Sequence, residues 1–310
     1  MVFLITGCQK KDETKEKSIK IYYSAIESGD YYEGWADQLQ RQAEAAGCIF
    51  DVGYAEKSIE VQDAQIKKAF SDGYQVFLCG LVSPDIAVEI KAAVKGMPIV
   101  FINNAPSDNQ LEKERYIYVA SDEFMAGQYQ AEYLLEKFRQ KEEINIVLLK
   151  GPKEASGTIG RTEGLKQTLK ASGKKINYVF EDCADWNKDT AKELMKLFLK
   201  LERSIDCVAA NNDDMALGAV EALEEAKIEL ENIVILGVDA SEKGCKAIID
   251  GRMDFTVYQP MSAQIMAAIE AAEKLVVGES IENIEGATKD GKYILLPFEK
   301  IDIYNVAQYR

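Results

Sequence analysis

The sequence predicts an α/β protein built on two mostly parallel sheets, and three observations carry that reading. Short apolar runs rich in β-branched and aromatic residues alternate with segments of helical period along nearly the whole chain. Eleven such runs are present, more than one ordinary open sheet of this kind comfortably holds. The chain has 310 residues, 47% of them hydrophobic, which suits two domains of about 150 residues, each burying its own core.

In order, the runs are IKIYYSA (19–25), IFDVGYA (49–55), VFLCG (76–80), PIVFIN (98–103), YIYVA (116–120), INIVLLK (144–150), NYVFEDC (177–183), CVAAN (207–211), IVILGVD (233–239), FTVYQ (255–259) and YILLPFE (293–299). Between them, Trp35, Leu39 and Ala43, then Met125, Tyr129, Leu135 and Phe138, then Met215, Val220 and Leu223 recur with helical period and mark core-facing sides. Strands alternating with helices imply βα units and parallel pairing. In such sheets ligands sit beyond the carboxyl ends of the strands. Those ends hold Ser24 to Tyr32, Asn103 and Asn104, the loop after Lys150, Asn211 to Asp213, Asp239 and Gln259. Amides and carboxylates beside aromatic rings suit a neutral polyhydroxyl ligand, because they bridge adjacent hydroxyls while a ring covers a C–H face.

Composition narrows the functions. Lys and Arg number 37 against 52 Asp and Glu, a formal charge of -15, so a nucleic-acid backbone is repelled over most of the surface. The chain contains no histidine, which excludes a Ser-His-Asp triad, a His-ligated zinc and a His general base. Cys48, Cys79, Cys183, Cys207 and Cys245 are scattered among apolar neighbours without a CxxC and read as mostly buried thiols. No apolar run approaches the ~18 residues needed to span a bilayer. An enzymatic alternative resting on Asp213, Asp214 or Asp239 lacks a nucleophile, base and orienter that can be named together. The loop GPKEASGTIGRTEG lacks the ending of a P-loop, and no GxGxxG follows the first strand.

At the amino end, Ile5-Thr6-Gly7-Cys8 resembles the cleavage end of a bacterial lipoprotein signal, without the basic start and long apolar stretch that normally precede it. The expectation is a lipidated Cys8 after a truncated signal, with a solvated tether completing residues 1–17.

The stretches INIVLLKGP, ANNDDMALGAVEAL and ILGVDA, supported by PIVFINNAPS and TVYQP, each meet a predicted strand in the same order as in a known family. From about Ile19 onward the chain resembles the type I periplasmic binding proteins of sugar ABC transporters, particularly the glucose/galactose- and ribose-binding branches. The resemblance implies two Rossmann-like lobes joined by three hinge crossovers, closing on a ligand. It places one lobe at 18–121 plus 260–290 and the other at 122–259 plus 291–310. By the same resemblance, the ligand-facing positions are Tyr31 and Tyr32 as aromatic walls, Asn103 and Asn104, and then Arg161, Trp186, Asn212, Asp239 and Gln259. Edge packing for the two tyrosines, an Asx-turn for Asn103 and a surface ion pair for Arg161 are the plainer readings. Asp213 reads as a helix cap rather than a ligand contact.

The implied function is an extracytoplasmic, membrane-anchored binding subunit of an importer, a monomer working with an ABC transporter permease and using no cofactor. A membrane sensor or chemoreceptor is the alternative partner. Ala155 and Gly157 stand where the glucose/galactose branch places hydrogen-bonding groups before its arginine, and Asn104 stands where ribose binders place an arginine. The expected ligand is therefore a neutral monosaccharide or cyclic polyol, with an inositol-like compound or an uncommon hexose ahead of glucose. No structural metal is expected, since RQKEEI (139–144) lacks the alternating oxygen ligands of a calcium loop.

Overall fold

A computed structural model describes residues 18–309, so the expectations for residues 1–17, Cys8 included, lie outside the described residues. The strands are β1 (Lys20–Ala25), β2 (Ile49–Tyr54), β3 (Val76–Cys79), β4 (Ile99–Phe101), β5 (Tyr116–Ala120), β6 (Glu143–Lys150), β7 (Lys175–Cys183), β8 (Cys207–Ala210), β9 (Val234–Leu236), β10 (Phe255–Tyr258), β11 (Tyr293–Leu295) and β12 (Glu299–Asp302). The helices are α1 (Asp30–Ala45), α2 (Ile59–Ser71), α3 (Ala87–Ala93), α4 (Glu123–Lys137), α5 (Ser156–Ala171), α6 (Lys188–Leu199), α7 (Asp213–Glu225), α8 (Glu242–Ile249) and α9 (Met261–Val277).

Two six-stranded sheets form, in the orders β11-β5-β4-β3-β1-β2 and β12-β10-β9-β8-β6-β7. Every neighbouring pair is parallel except β10 with β12. Both faces of each sheet are covered, which is why β3, β5 and β8 are buried along their whole length instead of alternating with polar residues. Successive residues serve opposite layers: Val76 and Leu78 join the layer holding Trp35, Leu39 and Ile265, whereas Phe77 and Cys79 join the layer holding Ile66 and Ile90. In the second sheet, Val147 and Leu149 face Met195 and Val220, and Ile146 and Leu148 face Leu134 and Leu165. The result is the two-lobed α/β architecture that the resemblance implies.

The chain passes between lobes after β5, after β10, and between β11 and β12. These crossings are tied together: Gln264 Nε2 donates to Ser121 Oγ at 2.8 Å, and the Leu296 amide donates to the Ala120 carbonyl at 2.8 Å.

Two details differ from the sequence reading. The run YILLPFE is two strands in different sheets, because Pro297 lacks the N–H that a continuous ladder needs. β11 therefore belongs to the first lobe and only the residues from β12 onward to the second, which corrects the placement of 291–310 as a block. On α4, the fully buried side is Ala126, Gly127, Gln130, Ala131 and Leu134, while Met125, Tyr129, Leu135 and Phe138 flank it half-buried. The reason is a close approach to α5. A Cβ at Gly127 would collide with the Arg161 carbonyl, and one at Gly164 with the Phe124 carbonyl. Small residues win that face because the two backbones nearly touch.

Gly127→Ala and Gly164→Ala should each lower stability by about 1–3 kcal/mol through overpacking, read from urea unfolding midpoints. Gly34→Ala, in a helix where a Cβ meets nothing within 4 Å, should be neutral or slightly stabilising. A Gly127→Ala protein as stable as the parent would contradict this account of the α4–α5 contact.

Candidate ligand site between the lobes

The close approach of α4 and α5 sets the centre of the site. It brings Glu123, in the first turn of α4, against Arg161 on α5, whose Nε donates to Glu123 Oε2 at 2.6 Å. Arg161 Nη1 donates to the Asn211 carbonyl at 2.6 Å and to Asp239 Oδ1 at 3.3 Å, and Nη2 donates to Gln259 Oε1 at 3.4 Å. Its guanidinium lies 5.6 Å from the Trp186 ring centroid. Arg161 is only 5% exposed, so it is no surface ion-pair partner. Burial pulls its pKa down, but Glu123 and Asp239 more than offset this and hold it above the ordinary arginine value. One hydrogen on Nη2 has no acceptor among the described residues.

Asp239 reaches this centre from the loop after β9. Its backbone has φ 116°, and Ala240 follows at 49°, conformations that cost energy and persist only when the surroundings impose them. The Asp239 amide donates to the Val257 carbonyl at 2.8 Å, and the Ala240 amide to Thr256 Oγ1 at 3.2 Å. Behind the loop stands Asp213, whose Oδ1 accepts from Thr256 Oγ1 at 2.6 Å and whose Oδ2 accepts from the Ser241 amide at 2.7 Å and hydroxyl at 2.9 Å. Gly237 and Gly244 border it because any side chain there would strike the Asp213 carboxylate. The buttress is fully packed. Burial pushes the Asp239 carboxyl up to about 7, with Arg161 opposing and Asp213 and Glu123 adding to the rise. Burial likewise pushes Asp213 up to about 6, against its hydrogen bonds from Thr256 and Ser241.

Aromatic residues close the sides. Trp186 has φ 61°, and its ring crosses the end of β6 where Gly151 leaves room, since a Cβ there would meet both the ring and Thr158 Oγ1. From the first lobe, Tyr31 stacks edge-on to Tyr32 with ring centroids 5.1 Å apart, and Trp35 lies behind it at 6.5 Å. Burial and then the Asp239 charge push the Tyr31 phenol up to about 12. Tyr31 nevertheless keeps 44% of its surface accessible and the Asp239 side chain 30%. Tyr31 of the first lobe and Asp239 and Arg161 of the second are therefore near enough to act on one another's charge where the lobes face each other. Three buried polar atoms, Asn103 Nδ2, Thr158 Oγ1 and Asn211 Nδ2, have no hydrogen-bond partner among the described residues. Unpaired buried polar atoms call for a ligand or water. The open hollows on the outer helices of the second lobe, by Lys188 and Lys243 and by Glu193 and Lys200, include none of these residues.

The structure thus brings Arg161, Asp239, Gln259, Trp186 and Tyr31 together, with Tyr32 packed behind Tyr31 against the first core. Asn103, at φ 60°, accepts from the Tyr23 hydroxyl at 3.3 Å through Oδ1 and leaves Nδ2 unpaired. Asn104 is committed elsewhere. Its Nδ2 donates to the Leu81 carbonyl at 3.0 Å and its Oδ1 accepts from the Ser156 amide at 3.1 Å, while Ser156 Oγ accepts from the Ala105 amide at 3.1 Å. Since α5 has no side-chain cap of its own, Asn104 caps it from the opposite lobe. Asn212 Oδ1 caps α7 through the Met215 amide at 3.0 Å, so the cap is Asn212 and not Asp213, and only its Nδ2 is left for a ligand. Sequence reasoning missed Glu123 and the carbonyl of Asn211. Glu123 lies three residues beyond YIYVA, in the first turn of the next helix, and its partner on α5 is 38 residues away in sequence.

Because Asp213 and Asp239 hold protons more readily folded than unfolded, their contribution to stability is full below about pH 4 and is lost as pH rises to about 7. Asp239→Asn should therefore stabilise the ligand-free protein at pH 8 by about 1–2 kcal/mol after solvent screening, with the gap closing toward pH 4. Urea unfolding across that range checks it, and a variant less stable than the parent at pH 8 would contradict it.

Residues 21–280 match the periplasmic binding protein domain. A xylitol-binding protein of Mycolicibacterium smegmatis is 30% identical over 282 residues, covering 90% of this chain and 78% of that protein. A D-galactose/methyl-galactoside binding periplasmic protein of Haemophilus influenzae is 26% identical over 287 residues, covering 88% of this chain and 86% of its own. Among solved structures, an ABC transporter solute binding protein from Bacillus halodurans with bound myo-inositol superposes with a TM-score of 0.83 at 25% identity, covering 96% of this chain and 98% of that one. With two mostly parallel sheets, three crossings and a polar cluster where the lobes meet, this chain belongs to the periplasmic binding protein family.

Proposed function

We propose that this chain is the extracytoplasmic substrate-binding subunit of an ABC importer, closing on a neutral monosaccharide or cyclic polyol and presenting the closed form to a permease without covalent chemistry. Cys8 is the proposed site of its lipid anchor. The observation that carries the reading is the Arg161 cluster between the lobes, where Glu123, Asp239 and Gln259 surround one guanidinium beside unpaired amide and hydroxyl groups. Such a set offers donors and acceptors to several hydroxyls at once, and Trp186 and Tyr31 offer apolar faces to a ring.

The cluster disfavours anions. Its one cation is already paired with two carboxylates, so a ligand phosphate or carboxylate would be buried without a partner. Catalysis is disfavoured for a similar reason: both oxygens of Asp213 are spent on Thr256 and Ser241. The polyol class is supported by the names of the relatives, one a xylitol-binding protein and one solved with myo-inositol.

Calorimetry with myo-inositol, xylitol, D-galactose and D-ribose tests the reading. At least one should bind with micromolar or tighter affinity, and Arg161→Met, its fold checked by circular dichroism, should weaken that binding roughly 100-fold or more. Binding of an amino acid, nucleoside or sugar phosphate while all four polyols stay silent would overturn the ligand class.

A further inference from the structure

We infer that Asn104 and Ser156 form a clasp between the lobes that raises the affinity of the cleft for every ligand by one common factor while touching none of them. The clasp rests on the closing motion proposed above and names the residues that bias it. Away from the three crossings, the hydrogen bonds of the described residues that join one lobe to the other all run through Ser156. Its amide donates to Asn104 Oδ1 at 3.1 Å, and its Oγ accepts from the Ala105 amide at 3.1 Å. Both ion pairs of Arg161, by contrast, lie within the second lobe.

The first-lobe half of the clasp is held in one orientation. Asn104 Nδ2 donates to the Leu81 carbonyl at 3.0 Å, which fixes the two ends of the amide and turns Oδ1 toward α5. The segment 80–82 beneath it is held in turn by the wholly buried Gln62, whose Oε1 accepts from the Val82 amide at 3.0 Å and whose Nε2 donates to the Gly80 carbonyl at 2.9 Å. Both polar atoms of the Asn104 side chain thus have protein partners. The second-lobe half is the first residue of α5, whose amide is one of the four that a helix leaves unpartnered within itself. Five residues further on, the same helix carries Arg161, so the clasp seats the element that holds the centre of the site.

When the lobes part, both bonds pass to water, and when they close, the bonds are remade between protein groups. The exchange favours closure by an amount that does not depend on what lies in the cleft. Every ligand that binds the closed lobes gains from it equally, whereas a direct contact favours only ligands with the matching hydroxyl.

Ser156→Pro isolates the clasp. Proline suits the first position of a helix, and Ala155 before it, at φ -69° and ψ 131°, already has the extended backbone that a residue before proline adopts. The substitution removes the amide donor and the hydroxyl together and leaves every partner of Arg161 in place.

Calorimetry with myo-inositol, xylitol, D-galactose and D-ribose should show each compound that binds the parent weakened about 3- to 30-fold by Ser156→Pro, by factors that agree within about twofold. Small-angle scattering should give the ligand-free variant a larger radius of gyration than the ligand-free parent. Asn104→Ala breaks the same clasp from the other side, so adding it to Ser156→Pro should cost no more than about twofold beyond the larger single loss. Losses that differ more widely between compounds, affinities that do not fall, or a radius that does not grow would each overturn the inference and leave the polyol reading standing. Silence of all four compounds would remove the polyol reading alone, because the radius of the ligand-free variant still decides the clasp: a larger one sustains it and an equal one overturns it.

Discussion

One guanidinium, buried where two lobes meet, constrains most of what surrounds it. A buried charge costs several kcal/mol unless it is paired and hydrogen-bonded, so Arg161 must be supplied with acceptors from wherever the fold can bring them. The fold brings them from four places. Glu123 arrives because Gly127, Gly160 and Gly164 let α4 and α5 nearly touch. The Asn211 carbonyl arrives from the end of β8, Gln259 from the crossing after β10, and Asp239 from a loop bent into positive φ. Losing the acceptor oxygen at any one of these would leave a guanidinium hydrogen unpaired, which is why small residues and strained backbone are tolerated in a region that otherwise packs like a core.

The second-lobe scaffold behind Asp239 shows how that strain is held. Asp213 makes three hydrogen bonds to the loop and to β10, and two glycines wall it in. Those bonds fix the loop, yet the carboxylate remains buried enough that burial still raises its pKa. The site therefore carries electrostatic cost in its ligand-free form, and a ligand that relieves the cost gains affinity from it. A similar economy operates at the lobe boundary. The first turn of α5 has no cap from its own loop, and Asn104 of the opposite lobe supplies one, so bringing the lobes together satisfies a helix terminus that separation would leave to water. A cap of this kind contributes about 0.5–2 kcal/mol, a modest bias toward the closed arrangement that leaves the ligand to supply the rest.

Much of this was legible in the sequence. Ten of the eleven apolar runs each became a single strand, because buried parallel strands write themselves as continuous β-branched and aromatic stretches. The exception, YILLPFE, looked continuous because hydrophobicity carries no record of which sheet a residue joins, and only Pro297 marked the break. Arg161, Trp186, Asp239 and Gln259 stand at strand ends or early in the following helix, where the topology rule and the family motifs both point, and they meet in space. Asn104 and Asn212 carry the right chemistry at the right strand ends, but an amide at a strand end serves a helix terminus as readily as a ligand. Local sequence does not say which. Glu123 stayed hidden because its partner lies 38 residues away, on a helix whose approach depends on glycines that read as neutral punctuation.

The proposed role requires a polyol to bind between the lobes on the Arg161 cluster. A crystal structure of the protein grown with myo-inositol or xylitol, whichever binds more tightly, measures this most directly. The ligand should be enclosed by both lobes, with hydroxyl oxygens on Arg161 Nη2 and Asp239 and with the Arg161 to Glu123 pair intact. A ligand bound elsewhere, or bound in the cleft with no polar contact to Arg161 or Asp239, would contradict it.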